Sequence, residues 1–173
     1  MFIKSLLDDI RTILKNGGIE NFEFESICII EDVFKQNIYD MISAKLECSS
    51  NDERVAQCNV MAQRRIDGFP LQYILGKWEF YGLPFKVGEG VLIPRQDTET
   101  LVDYVLTIFN KDETLKMVDL CSGTGCIPIS IEKHLNNVEY HAIELSTIAY
   151  SYLVDNIALN NSKVVSHLGD VLE

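Results

Sequence analysis

The chain has 173 residues, of which 47% are hydrophobic, 9% aromatic and 24% charged, with 4 Pro and 10 Gly. That balance excludes intrinsic disorder and collagen-like structure, and the length suits one ordinary domain, or one small domain and part of another. Acidic residues number 26 against 15 basic ones, a net charge of -11 that argues against gripping a nucleic-acid backbone.

At the amino end, Ile3, Leu6, Leu7, Ile10, Ile13 and Leu14 form a helical stripe that Gly17-Gly18 closes. Asp8 and Asp9 come too early for a secretory signal. Phe24, Ile27, Ile30, Val33 and Phe34 predict a second helix. Ile38, Met41, Ile42 and Leu46 predict a short third. Ser50-Asn51-Asp52-Glu53 has the form of a capping box and opens a fourth, with Val55, Cys58, Ala62 and Ile66 on one face and Gly68 and Pro70 beyond its end. Residues 1–69 therefore read as a small helical bundle. Its acidic surface suits either docking or plain solvation.

From residue 70 to 96 the texture changes. Trp78-Glu79-Phe80-Tyr81 and Leu83-Pro84-Phe85-Lys86-Val87 flank Gly82 as a hairpin. This linking segment is too aromatic for a loose tether, so it is expected to pack on the carboxyl-terminal part of the chain. From residue 97 to 173 helix and strand alternate. Asp97 is expected to cap a helix with Leu101, Val105, Ile108 and Phe109 inward. Strands are expected at 115–120, 139–143 and 164–168, with helices between them, the second capped by Ser146. Such alternation means an α/β fold with right-handed crossovers, a parallel sheet and ligands at the carboxyl ends of the strands.

The most informative run is Asp119-Leu120-Cys121-Ser122-Gly123-Thr124-Gly125. A dinucleotide loop would need a third glycine where Pro128 stands, and a phosphate loop would need G-K-[ST]. An acid four residues ahead of G-x-G suits a ligand with an amino group and little negative charge, such as S-adenosylmethionine. A strand-to-helix turn that needs small residues explains the same glycines. Glu144 ends the second strand, where a carboxylate can accept both hydroxyls of a ribose, and Asp170 comes after the third. Each of these acids read singly also fits a cap or a solvated loop. The five cysteines are Cys28, Cys48, Cys58, Cys121 and Cys126, an odd set without C-x-x-C. Neither a disulfide framework nor a metal site is expected, no run of about 18 apolar residues suggests a membrane span, and a reduced cytoplasm is the expected location.

Several segments together are specific. They are Pro70-Leu71-Gln72-Tyr73-Ile74-Leu75-Gly76 with Trp78-Glu79-Phe80-Tyr81-Gly82; Val91-Leu92-Ile93-Pro94-Arg95-Gln96-Asp97-Thr98-Glu99; the glycine run; Glu144-Leu145-Ser146; Asn156; and Gly169-Asp170. Through them the chain resembles the amino-terminal part of the HemK/PrmC family, which methylates the glutamine of the Gly-Gly-Gln motif in class 1 peptide chain release factors. The resemblance implies a Rossmann-like class I methyltransferase domain, here its first part only, with S-adenosylmethionine as cofactor and a release factor as partner. It implies cofactor contacts from Asp119, Cys121, Ser122, Gly123, Thr124, Gly125, Glu144, Asp170 and Val171, and support on the substrate side from Arg95 and Glu99. Cys121 stands where the family usually has glycine, Glu144 where Asp is common, and Val171 where an aromatic can occur. The family's catalytic Asn-Pro-Pro-Tyr does not occur in the sequence, whose prolines are isolated. The expectation is that it lies beyond Glu173, that this chain is a fragment inactive alone, and that its incomplete sheet favours self-association. A non-catalytic protein-binding fragment and a DNA adenine methyltransferase are the alternatives; the acidic charge and the I-P-R-x-x-T-E segment speak against DNA.

Overall fold

The computed structural model describes residues 1–49 and 51–172. The backbone divides into two compact units, Met1–Leu75 and Gly76–Glu173.

The first unit contains α1 (Ile3–Asn16), α2 (Phe22–Phe34), α3 (Ile38–Ser43), α4 (Glu53–Ile66) and α5 (Leu71–Leu75). In α1 the buried residues Ile3, Leu6, Leu7, Ile10 and Leu14 keep helical spacing, so one stripe faces inward. Helices α1, α2 and α4 pack on one another. The inner face of α4 is Val55, Cys58, Met61 and Ala62. Ile66 instead lies against Gly17, whose missing side chain makes room for it. Glu25 of α2 is only 7% exposed, and Arg65 of α4 neutralises it with two hydrogen bonds, at 2.6 and 3.2 Å. Two expectations need correction here. Asp52 caps α4, accepting from the Arg54 amide at 2.9 Å, while Ser50 lies outside the described residues. Helix α3 stops before Leu46 because Lys45 takes a left-handed conformation, φ 50°.

The second unit opens with the antiparallel hairpin β1 (Lys77–Phe80) and β2 (Leu83–Lys86). Its turn residues Tyr81 and Gly82 have φ 52° and 70°, the double positive φ that matches the twist of a two-residue hairpin. Phe80 and Phe85 meet edge to face and are buried in one core with Val102, Ile129, Ile131, Tyr140 and Leu153. A 3-10 turn at Gln96–Thr98 comes next, then α6 (Glu99–Ile108), β3 (Leu115–Asp119), α7 (Cys126–His134), β4 (Val138–Glu144), α8 (Thr147–Leu159) and β5 (Val165–Leu168). The sheet is parallel, in the order β3-β4-β5. Helices α7 and α8 pack on the sheet over the buried Tyr140 and Ala142. The alternate residues Val118 and Val165 are exposed. This is the α/β class that alternation predicts. The structure corrects the start of α6. Asp97 sits inside the 3-10 turn, and Thr98 precedes the helix without a side-chain cap. The inward residue is Val102, helped by Val105 and Leu106, whereas Leu101 and Ile108 are exposed because α6 touches the core through a narrow stripe. Ser146 does cap α8, accepting from the Ala149 amide at 3.3 Å.

Candidate functional site

Strand β3 delivers Asp119 to the sheet's carboxyl end, and the chain turns through Cys121–Gly125 into α7. Gly123 and Gly125 have φ 53° and 78°, a region that side chains disfavour. Gly125 is doubly required, since a Cβ there would lie 2.5 Å from Leu153 of α8. Over Gly123 the space is open. The turn is closed by the Gly125 amide donating to the Ser122 carbonyl at 2.7 Å, and the Ser122 amide ties it to Ile143 of β4 at 3.0 Å.

Two carboxylates organise this loop. One oxygen of Asp119, Oδ1, accepts from the Cys121 amide at 3.3 Å. The other, Oδ2, is buried and has no hydrogen-bond partner. Burial raises the Asp119 pKa above the ordinary carboxylate value, against the pull of the Cys121 amide and Ser122. Glu144, at the end of β4, accepts from the Gly123 amide through Oε2 and from the Ser146 amide through Oε1, both at 2.8 Å. Its carboxylate therefore bridges the glycine loop and the start of α8. The Gly169 amide after β5 donates to the Glu144 carbonyl at 3.1 Å.

The facing wall is the segment from Gly90 to Arg95, with Thr98. It lies close to α8 because two glycines allow it. A Cβ on Gly88 would collide with the Tyr152 hydroxyl, and one on Gly90 would lie 2.5 Å from Ile148. The cleft between the walls has a volume of about 390 Å³ and is lined by Cys121, Ser122, Gly123, Thr124, Glu144 and Arg95 among others. Asp119 and Gly125 sit outside that lining, as do three other expected site residues. Glu99 accepts from the Tyr81 amide at 2.8 Å and so holds the hairpin turn. Asp170 accepts from the Leu172 amide at 2.9 Å, and Val171 beside it is exposed. Cys126 is buried, and burial pushes its thiol pKa up to about 11. Among the described residues, no cluster of His, Cys, Asp and Glu is arranged to hold a metal ion, and no helix is long and apolar enough to cross a membrane.

Sequence reasoning missed the part played by Gly88 and Gly90 in seating the facing wall, and that of Asn156. A signal for the latter existed, because Asn156 is a polar residue in register with Ala149 and Leu153 on an otherwise apolar helix face.

The profile of the PrmC N-terminal domain matches residues 5–76. A release factor glutamine methyltransferase from Fusobacterium nucleatum is 35% identical over 90% of this chain and 44% of its own. One from Thermodesulfovibrio yellowstonii is 37% identical over 95% of this chain and 59% of its own. Similarity to the HemK/PrmC family runs nearly the length of the chain. The chain spans about half the length of the curated release factor glutamine methyltransferases it matches. A crystal structure of M. jannaschii TYW2 in complex with AdoMet aligns with 54% of this chain and 42% of its own, at 29% identity and a TM-score of 0.47.

Proposed function

We propose that the cleft of the second unit takes S-adenosylmethionine, and that the protein transfers a methyl group to the side-chain amide nitrogen of the Gly-Gly-Gln glutamine in class 1 release factors. The observation that carries the cofactor reading is the glycine loop that lines the cleft and is tied to Glu144, with the buried, unpartnered Oδ2 of Asp119 where β3 enters that loop. A buried carboxylate oxygen left bare is costly, and a cationic amino group is the partner that removes the cost. When bound, the cofactor supplies a sulfonium methyl group for transfer.

In this reading Cys121, Ser122, Gly123, Thr124 and Gly125 wrap the methionine part, and Asp119 meets its amino group. Glu144 accepts from the ribose hydroxyls. Each of its oxygens accepts from one backbone amide and keeps a second lone pair free, so bidentate acceptance is compatible with the bonds to Gly123 and Ser146. Asp170 and Val171 border the adenine. Arg95 and Glu99 serve the substrate side, Glu99 by fixing the hairpin turn. Residues 1–69 serve as a docking domain for the release factor, and residues from 97 onward begin the methyltransferase domain.

An amide nitrogen is a feeble nucleophile, so its orientation toward the methyl group carries much of the reaction, roughly 7–11 kcal/mol in well-oriented systems. The family's Asn-Pro-Pro-Tyr performs that orienting, and this sequence does not contain it. The 173-residue chain is therefore expected to bind cofactor without turning it over. The test tracks labelled methyl from S-adenosylmethionine to release factor or to duplex DNA. It compares this chain with the same chain joined to the carboxyl-terminal part of the Thermodesulfovibrio yellowstonii relative. Transfer to release factor by the joined form alone is the expected outcome. Turnover by the 173-residue chain would put the orienting group among its own residues, and preferential labelling of DNA would overturn the substrate.

A further inference from the structure

We propose that Asn156 is a positioning residue of the glycine loop, joining that loop and the β1–β2 hairpin to α8. The residue is fully buried and makes three hydrogen bonds to backbone far away in sequence. Its Oδ1 accepts from the Lys86 amide at 2.6 Å. Its Nδ2 donates to the Lys86 carbonyl at 3.1 Å and to the Thr124 carbonyl at 3.0 Å. The partners fix which way the amide points, since two carbonyl oxygens require donors and one N–H requires an acceptor. Toward Lys86 the side chain acts as a neighbouring strand would, taking the N–H and giving to the C=O. The third bond reaches Thr124, which stands between the two left-handed glycines.

Those glycines are the most pliable points of the loop, and a bond to the carbonyl between them removes much of that freedom. A loop ordered in advance loses less entropy when a ligand arrives. The rest of the α8 stripe separates the two tasks. Leu153 packs on Gly125 of the loop, and Asn160 donates to the Pro84 carbonyl of the hairpin at 2.9 Å. Asn156 alone among these bonds both, so hairpin and loop share one fixed point.

The ligand arm of the test rests on the cofactor reading above; the exchange arm does not. Asn156→Asp keeps the shape but turns the donating nitrogen into an oxygen facing two carbonyls. In this variant, amide hydrogen exchange at Lys86 and at Gly125 is expected to quicken at least tenfold, and S-adenosylmethionine affinity measured by calorimetry to fall at least tenfold. Two controls are expected to keep the affinity within twofold. One is Asn160→Ala, and the other is Ile131→Val or Ile131→Ala in α7, whichever matches the unfolding midpoint of Asn156→Asp. If exchange quickens at Lys86 while Gly125 keeps its wild-type rate, or if affinity simply tracks the unfolding midpoint across the variants, Asn156 is a hairpin anchor and the proposal falls. If the wild-type chain binds no S-adenosylmethionine, the cofactor reading falls instead, and the exchange rates still decide the role of Asn156. Should the variant not fold, the wild-type chain decides: Asn156 Nδ2 protons and the Lys86 amide protected as well as β4 amides support the proposal, and exchange at the rate of exposed amides overturns it.

Discussion

Asp119 Oδ2 and the Ser130 hydroxyl are both buried without a hydrogen-bond partner, and their places in the fold give them different meanings. Ser130 lies in the middle of α7 and is fully buried. Its hydroxyl was stripped of water with nothing in return, so Ser130→Ala is expected to raise stability by about 1 kcal/mol. A urea midpoint that rises at constant slope checks this; a lowered midpoint would mean that the hydroxyl is satisfied. Asp119 ends β3 where the chain enters the glycine loop, and the cofactor reading gives its bare oxygen a partner there. Its pKa is raised by burial, so the folded state binds more protons than the unfolded one between the ordinary carboxylate value and the raised one. Stability therefore falls as pH rises through that window. Asp119→Asn removes the slope. The variant is expected to gain stability over the wild type above the window, to show no such gain well below it, and to lose S-adenosylmethionine affinity throughout. Urea titrations across pH, paired with calorimetry, measure both effects, and a variant less stable than wild type at neutral pH would contradict the assignment of cost to that oxygen.

At the scale of elements, the facing wall of the cleft stands where α8 lets it. Gly88→Ala forces the Tyr152 hydroxyl aside and is expected to cost about 1–3 kcal/mol, the range for overpacking, with a parallel loss of cofactor affinity. Adding Tyr152→Phe removes the colliding atom and is expected to restore part of both. If Gly88→Ala leaves melting temperature and affinity unchanged, the wall is not seated on α8. The elements themselves were largely legible, because periodicity is a local property. The stripe of α1, the hairpin around Gly82 and the Ser146 cap are all set by neighbouring residues. The start of α6 was not legible. A 3-10 turn at Gln96–Thr98 precedes it, so the first good capping residue in the sequence, Asp97, belongs to the turn and the inward stripe rotates to Val102.

At the scale of the whole chain, the same divide separates what could be read from what could not. The glycine loop and Glu144 are visible because a tight turn and a strand end have sequence forms of their own. The bonds of Asn156 join residues 70 and 32 positions apart, and no local pattern announces them. The orphan oxygen of Asp119 is likewise a product of packing: the acid is plain in the sequence, but which of its oxygens stays bare depends on the Cys121 amide folding back onto the other. Asp170 shows the reverse. The sequence offers it as a site residue, and the structure gives its carboxylate a local partner at Leu172.

Every residue lining the cleft falls between Gly90 and Ala149. A pocket made from one continuous stretch closes without either end of the chain, and closures shorter than the whole chain cost less entropy and come earlier in folding. A ligand that meets this stretch while it is still assembling stabilises the transition state as well as the finished fold. S-adenosylmethionine present during refolding from urea is therefore expected to speed folding, and not only to slow unfolding. Stopped-flow refolding with and without the ligand separates the two limbs, and a ligand effect confined to the unfolding limb would mean that the pocket closes last.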